Sequence, residues 1–316
     1  MKRVIERTVQ ALFGMSVLII VILSVLIFSS FPGFFDQQTP KNEETEESIT
    51  EESITEESIT EDVLIRPRDL SLQKELDEYL FQHGLDEQSI SYRITDLDNH
   101  EIYTFNEETD FFAASVYKLP LAMLYEDLID EGVYTRESLF YFAYSMIEDY
   151  GYLLSLYSPG SYVPLGDLLD IMIAYSDNSA GHILFEYMDG WLGYKNAMMA
   201  YTDVDCQEFY TYNNITCAAV MSDVVNHLYE NKEKYAHLID IMEEAEPGRF
   251  LDGNISISMP QKYGSYEDAC NSVGFVDGSI PYTIVVLTSL GSYGEKVMAD
   301  LNEIVYRHLV SDVSLQ

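Results

Sequence analysis

Positive charge is the scarcest commodity in this 316-residue chain. Seventeen Lys and Arg stand against 54 Asp and Glu, for a formal net charge of −37. Such a surface repels phosphate backbones and anionic headgroups, so nucleic acid is excluded as a partner. It also makes any lysine placed in a cleft conspicuous. Cysteine is nearly absent, with Cys206, Cys217 and Cys270 alone. An odd count leaves at least one thiol outside any intrachain bridge. Cys206 and Cys217 read either as buried thiols or as one optional disulfide, and their spacing matches no metal motif. The six histidines are scattered with no His-x-x-x-His pair, so neither a metal nor another cofactor is expected.

Long apolar runs are also missing, with one exception. Residues 1–10 are mostly polar and carry Lys2, Arg3 and Arg7, whereas residues 11–31 are almost wholly apolar and uncharged. About twenty such residues can span a bilayer as a helix. The basic flank predicts a cytoplasmic N-terminus and an outward-facing remainder, hence a single-pass protein of the cell membrane. A cleaved signal peptide would have a shorter apolar core and a small-residue cleavage site. Here the run ends in Phe31-Pro32-Gly33-Phe34-Phe35, which reads as an uncleaved anchor, and no Cys follows for lipid attachment. Residues 32–66 contain Glu-Glu-Ser-Ile-Thr three times, at 46–50, 51–55 and 56–60. Nothing there can bury a core, so a disordered acidic spacer is predicted. Its reach is on the order of 30 Å.

The ordered domain is expected over residues 67–316. Ser71 is placed as the N-cap of a helix ending near His83-Gly84. Ile90–Leu97 and Glu101–Phe105 alternate as a hairpin around Asp98-Asn99-His100. An apolar helix follows Ser115 and runs to about Gly132. Pro164–Tyr175, Ser179–Met188 and Thr216–Tyr229 have helical spacing. Strand character returns at Ile255–Tyr263, Asn271–Val276 and Tyr282–Thr288, and Gly294–Leu309 closes as a helix. The expected class is α+β: an antiparallel sheet built from both ends of the domain, flanked by helices, with an all-helical lobe from the middle.

Three short motifs carry the chemistry. Ser115-Val-Tyr-Lys118 opens a helix, which puts both side chains on one face a turn apart. A serine hydroxyl needs a base before it can attack, and Lys118 can serve only where burial or a nearby cation disfavours its ammonium form. Lys262, in Lys262-Tyr263-Gly264, is the natural second cation. Ser176-Asp177-Asn178 lies in the break between two helices. Each motif has a plain alternative: Ser115 as a helix cap, Ser176-Asp177-Asn178 as another, Lys262 as a surface residue of an edge strand. Ser71-Leu72-Gln73-Lys74 repeats the first pattern, but it opens a polar, acid-rich helix and reads as a cap with a surface lysine.

In this order the motifs match the S-x-x-K, S-D-N and K-x-G set. From about Ser71 to Val310 the chain resembles the class A β-lactamase-like serine hydrolases, relatives of the penicillin-binding proteins. Tyr157-Ser158-Pro159, Asn271–Val276 and Pro281–Thr288 add to the likeness. The resemblance implies Ser115 as nucleophile, Lys118 as base and Ser176 as proton relay. It implies Asn178, Lys262, Gly264, Ser265 and Tyr157 at the substrate, with the Ser115 and Ser265 N–H groups as oxyanion hole. It further implies a β-lactam or a D-Ala-D-Ala cell-wall peptide as substrate. Two departures stand out. Tyr263 replaces the usual Thr or Ser, and the segment 190–216 is short and lacks the Glu-x-x-Leu-Asn whose Glu activates the deacylating water. Asp203, Asp205 and Glu208 are the acids available there. The expectation is a site that acylates but deacylates poorly. Its competitors are a tethered non-catalytic module derived from such an enzyme, and a structural protein using its 25 Tyr and 15 Phe for contacts.

Overall fold

The structure, a computed structural model, describes residues 69–311 except 149, 150, 205, 207 and 212. All belong to the unit Val63–Gln316. The expected membrane anchor and acidic spacer lie outside the described residues. Among those described, no helix is long and apolar enough to cross a membrane.

Helix α1 (Leu70–His83) buries Leu72, Leu76 and Leu80, which recur every four residues and so share one face. It ends at Gly84, whose φ of 64° is a left-handed cap. Its N-cap is Asp69, not the expected Ser71. The Asp69 carboxylate accepts from the N–H groups of Ser71 and Leu72, since an Asp one residue earlier already supplies the needed acceptor.

Strands β1 (Ile90–Asp96) and β2 (Ile102–Phe105) form the predicted hairpin, with Tyr92 opposite Phe105. Strand β3 (Phe111–Phe112) leads into a 3₁₀ turn at Ala114–Tyr117 and then helix α2 (Lys118–Asp130). The helical lobe continues through β4 (Leu139–Tyr141), α3 (Leu153–Leu156), β5 (Tyr162–Pro164), α4 (Leu165–Ala174), α5 (Asn178–Tyr187) and α6 (Gly190–Met198). Strand β6 (Ile215–Thr216) pairs with β3, so α7 (Ala218–Glu230) starts two residues later than its periodicity suggested. Helix α8 (Ala236–Glu243), strands β7 (Gln261–Tyr266), β8 (Ala269–Val276) and β9 (Tyr282–Thr288), and helix α9 (Tyr293–Tyr306) complete the domain.

The main sheet has the order β2-β1-β9-β8-β7, all antiparallel, so strands from both ends of the domain meet as expected. Its strand β9 alternates between two cores. Val285 and Leu287 join the helical lobe, whereas Ile284 and Val286 join the side covered by α1 and α9. Strand β7 begins at Gln261, not Ile255. Pro260 has no N–H for the ladder, and Gln261 turns its side chain back onto Leu251 and Arg249. Cys206 and Cys217 are joined as a disulfide, and the remaining thiol, Cys270, is buried.

Candidate active site

The turn that carries Ser115 is clamped from two sides. Strand pairing brings the Ala113 N–H onto the Asn214 carbonyl at 2.9 Å, and the Asn214 side chain donates to the Ala114 carbonyl at 2.9 Å. From the sheet side, the buried amide of Asn271 donates to the carbonyls of Phe112 and Ala113. Between these clamps Ala114 adopts φ 48°, a left-handed conformation that a residue with a Cβ holds only under constraint. Ser115 follows in the 3₁₀ turn, and Lys118 is the first residue of α2.

Gly264 explains how β7 reaches this turn. A Cβ built there would lie 2.5 Å from the Ser115 backbone nitrogen and 2.9 Å from that of Val116. Only a glycine lets the strand come so close. Because β7 is the edge of the sheet, part of its backbone is not used for pairing with β8.

Lys118 and Lys262 are fully buried, and both are tied to Ser176. Lys118 Nζ donates to the Ser176 carbonyl and to Asn178 Oδ1, each at 2.6 Å. Lys262 Nζ donates to the Ser176 hydroxyl at 3.0 Å and to the Tyr263 carbonyl at 2.7 Å. Ser176 itself has φ 52°, which lets it present carbonyl and hydroxyl to the two lysines. Burial, aided by the neighbouring charge of Lys118, pushes the Lys262 ammonium well below its usual range. Gly181 leaves the space for Lys118, since a Cβ there would stand 3.2 Å from Lys118 Cε. Asp177 braces the loop. One of its carboxylate oxygens accepts from Ala180 N and the other from Leu153 N, both at 2.9 Å. Tyr263 stacks on Phe250 with ring centroids 4.5 Å apart. Burial raises its phenol, while a hydrogen bond with Ser176 opposes that rise.

In front of this cluster lies a cavity of ≈ 310 Å³ whose wall includes Ser115, Asn178 and Ser265. Tyr157 is not part of that wall; its hydroxyl bonds Asp167 instead. Asp203 and Glu208 are exposed and do not line the cavity, and Asp205 lies outside the described residues. The acids that do line it are Glu148 and Glu186, with His182 between them. His182 Nδ1 stands 2.7 Å from a Glu148 oxygen, out of line for a hydrogen bond, and Nε2 is 3.5 Å from Glu186. Phe185 and Trp191 form the apolar part with Tyr117, and Phe185 and Trp191 meet edge to face at 4.6 Å. A helical reading from Asn178 could have found three of these. Positions 178, 182 and 185–186 fall on one face of α5. Glu148 and Trp191 had no such signal.

A third buried lysine lies outside the motif set. Lys195 on α6 donates to the Ile215 carbonyl at 2.7 Å and sits 3.8 Å above the Phe209 ring. Burial pushes it down to about 7, against the opposing pull of Asp110. Among the described residues no cluster of His, Cys, Asp or Glu is arranged to hold a metal.

Solved structures share the architecture. The protein PBP-A is 16% identical with a TM-score of 0.67, covering 77% of this chain and 98% of its own. A beta-lactamase from Chitinophaga pinensis DSM 2588 is 18% identical with a TM-score of 0.66, covering 75% and 99%. The TLA-1 extended-spectrum beta-lactamase is 20% identical with a TM-score of 0.66, covering 76% and 98%. At such identities the likeness concerns the fold. No curated protein sequence matches the chain. The model of the Beta-lactamase enzyme family matches residues 71–309, and the chain belongs to that family.

Proposed function

We propose that this protein is a serine hydrolase that forms an acyl-enzyme at Ser115 with β-lactams or D-Ala-D-Ala peptides and releases the acyl group slowly. The observation that carries this reading is Ser176 held between two buried lysines, with Gly264 pressed onto the Ser115 N–H. In the acylation step Ser115 Oγ attacks the carbonyl carbon and passes its proton to Lys118. The Ser115 and Ser265 N–H groups receive the oxyanion. The tetrahedral adduct collapses by breaking the C–N bond. Ser176 relays the proton from Lys118 to the departing nitrogen, leaving a Ser115 ester. Mutual repulsion and burial favour one proton fewer on the lysine pair, which suits this shuttle. Lys262 also offers charge to the substrate carboxylate. One similar structure, a PBP-A mutant, is described as an acyl-enzyme complex with penicillin G, which supports the same chemistry here.

Deacylation needs a base that positions water; the described acids of the 190–216 segment do not line the cavity, and we assign the two that do, Glu148 and Glu186, to substrate binding rather than to water activation. The ester is therefore expected to persist for minutes. Intact-protein mass spectrometry should show one penicillin adduct on the native chain, none on Ser115→Ala, and an unchanged adduct on Ser71→Ala. Turnover of a chromogenic cephalosporin should stay below about 10 s⁻¹, the median for enzymes. Labelling that survives Ser115→Ala overturns the assignment. Absence of any adduct on the native chain favours the non-catalytic binding module. The same reading places the domain outside the cell on a membrane anchor at residues 11–31. Protease treatment of intact cells tests this, since the domain should be shaved from the membrane fraction.

A further inference from the structure

The cavity in front of Ser115 has a polarity that the acylation chemistry does not require. Among the described residues no lysine or arginine contributes to its wall. Lys118 and Lys262 stand behind the wall with no exposed surface, bonded to Ser176. The charged groups that do line it are Glu148, Glu186 and His182. Both carboxylates remain about half exposed, at 50% and 52% of their side-chain surface, so they are open to a ligand. Even with His182 protonated, two carboxylates leave the wall net negative. Aromatic faces stand beside them, and aromatic rings with carboxylates form the usual environment for an organic cation.

The cavity thus offers carboxylates beside aromatic rings, and the ligand must bring positive charge.

We propose that this cavity selects acyl donors whose side chain carries an ammonium group, held by Glu148 and Glu186 against the Phe185–Trp191 wall. The proposal rests on the acyl-enzyme reading above and specifies its substrate. A preferred substrate is then zwitterionic along its length. Its carboxylate lies toward Lys262 and its ammonium toward the glutamates, with the scissile carbonyl between them at Ser115.

Three penicillins that share one nucleus isolate the charge: ampicillin with an amine in the side chain, benzylpenicillin with none, and carbenicillin with a carboxylate. Trp191 is the single tryptophan of the chain and lines the cavity, so its fluorescence reports occupancy without chemistry. Titrating Ser115→Ala with each drug should give affinities in the order ampicillin, benzylpenicillin, carbenicillin. The ends should differ by about tenfold or more at low salt and by less at high salt. Glu148→Gln/Glu186→Gln in the same background should bring the ratio of ampicillin to carbenicillin below about threefold, and Glu186→Gln alone should give an intermediate ratio. Acylation rates on the otherwise native chain should follow the same order. A carbenicillin affinity equal to or above that of ampicillin overturns the proposal, as does a ratio unmoved by the glutamine variants. Failure of the acyl-enzyme reading looks different: the fluorescence order holds while no drug adds mass to Ser115.

Discussion

The two sides of Ser115 are built on opposite principles. Behind it, Lys118, Ser176 and Lys262 form a buried basic cluster in which each lysine donates to a fixed oxygen. In front, Glu148 and Glu186 stand half exposed on the cavity wall, and their contact with His182 is loose at 3.5 Å on one side. On the acyl-enzyme reading we propose, the fixed first side suits reaction, where reorganisation would slow chemistry. The second is open, as suits a surface that has to admit different side chains. In a chain so short of cations, two of the few lysines are spent out of contact with water.

Removing the close approach at Gly264 should damage the rigid side most. Gly264→Val places a Cβ where the Ser115 nitrogen stands 2.5 Å away, so β7 must retreat from the oxyanion site. Loss of one oxyanion donor costs about 10²–10³ in rate. Acylation by a fluorescent penicillin should fall by at least that lower figure. A rate within threefold of the native one would show that the rigid side tolerates more movement than its geometry suggests.

Lys262→Ala tests charge rather than shape. One lost charged hydrogen bond is worth about 1.5–3 kcal/mol, or tenfold to hundredfold in acylation by carboxylate-bearing drugs. A change under twofold would mean that the carboxylate is held elsewhere.

The smallest expected effect concerns Lys195, the buried lysine on the helix that carries Trp191. Its folded-state value of about 7 lies below the ordinary value near 10.4. Between those values the unfolded chain binds the extra proton, so stability rises with pH from about 7 toward 10. The contribution is at most ~1.4 kcal/mol per pH unit. Lys262 adds in the same direction, so the readout is the difference between native and Lys195→Met. Thermal melts at pH 7 and pH 9 should show a shallower rise for the variant. Equal slopes would indicate that Lys195 stays charged in the folded chain.

The same contrast explains what could be read from the residues alone. Ser115, Lys118, Ser176 and Lys262 sit in compact motifs because their roles depend on local backbone geometry: a turn before a helix, a break between helices, a strand that needs a glycine. The hairpin, the helical middle and the meeting of terminal strands were legible for similar reasons. The acidic wall was not. Glu148 and Trp191 come from segments without periodicity, and His182 looks like any polar residue until α5 is known to face the cavity. The sequence points to 190–216 for a displaced base, whereas the acids lining the cavity come from before α3 and from α5. Tyr157 stands off the cavity wall. Its hydroxyl is taken by Asp167, ten residues on.

The abutment of Gly264 on Ser115 has a consequence for how the chain acquires activity. These residues belong to opposite ends of the ordered sequence, and β7 adds to a sheet whose strands β1 and β9 are equally remote from one another. Such long-range closures are slow and come after local helices have formed. The nucleophile, its helix and the Ser176 loop can therefore assemble before the oxyanion site exists. During refolding from denaturant, helical signal should return first and penicillin reactivity last, which makes the drug a reporter of the final docking of the edge strand.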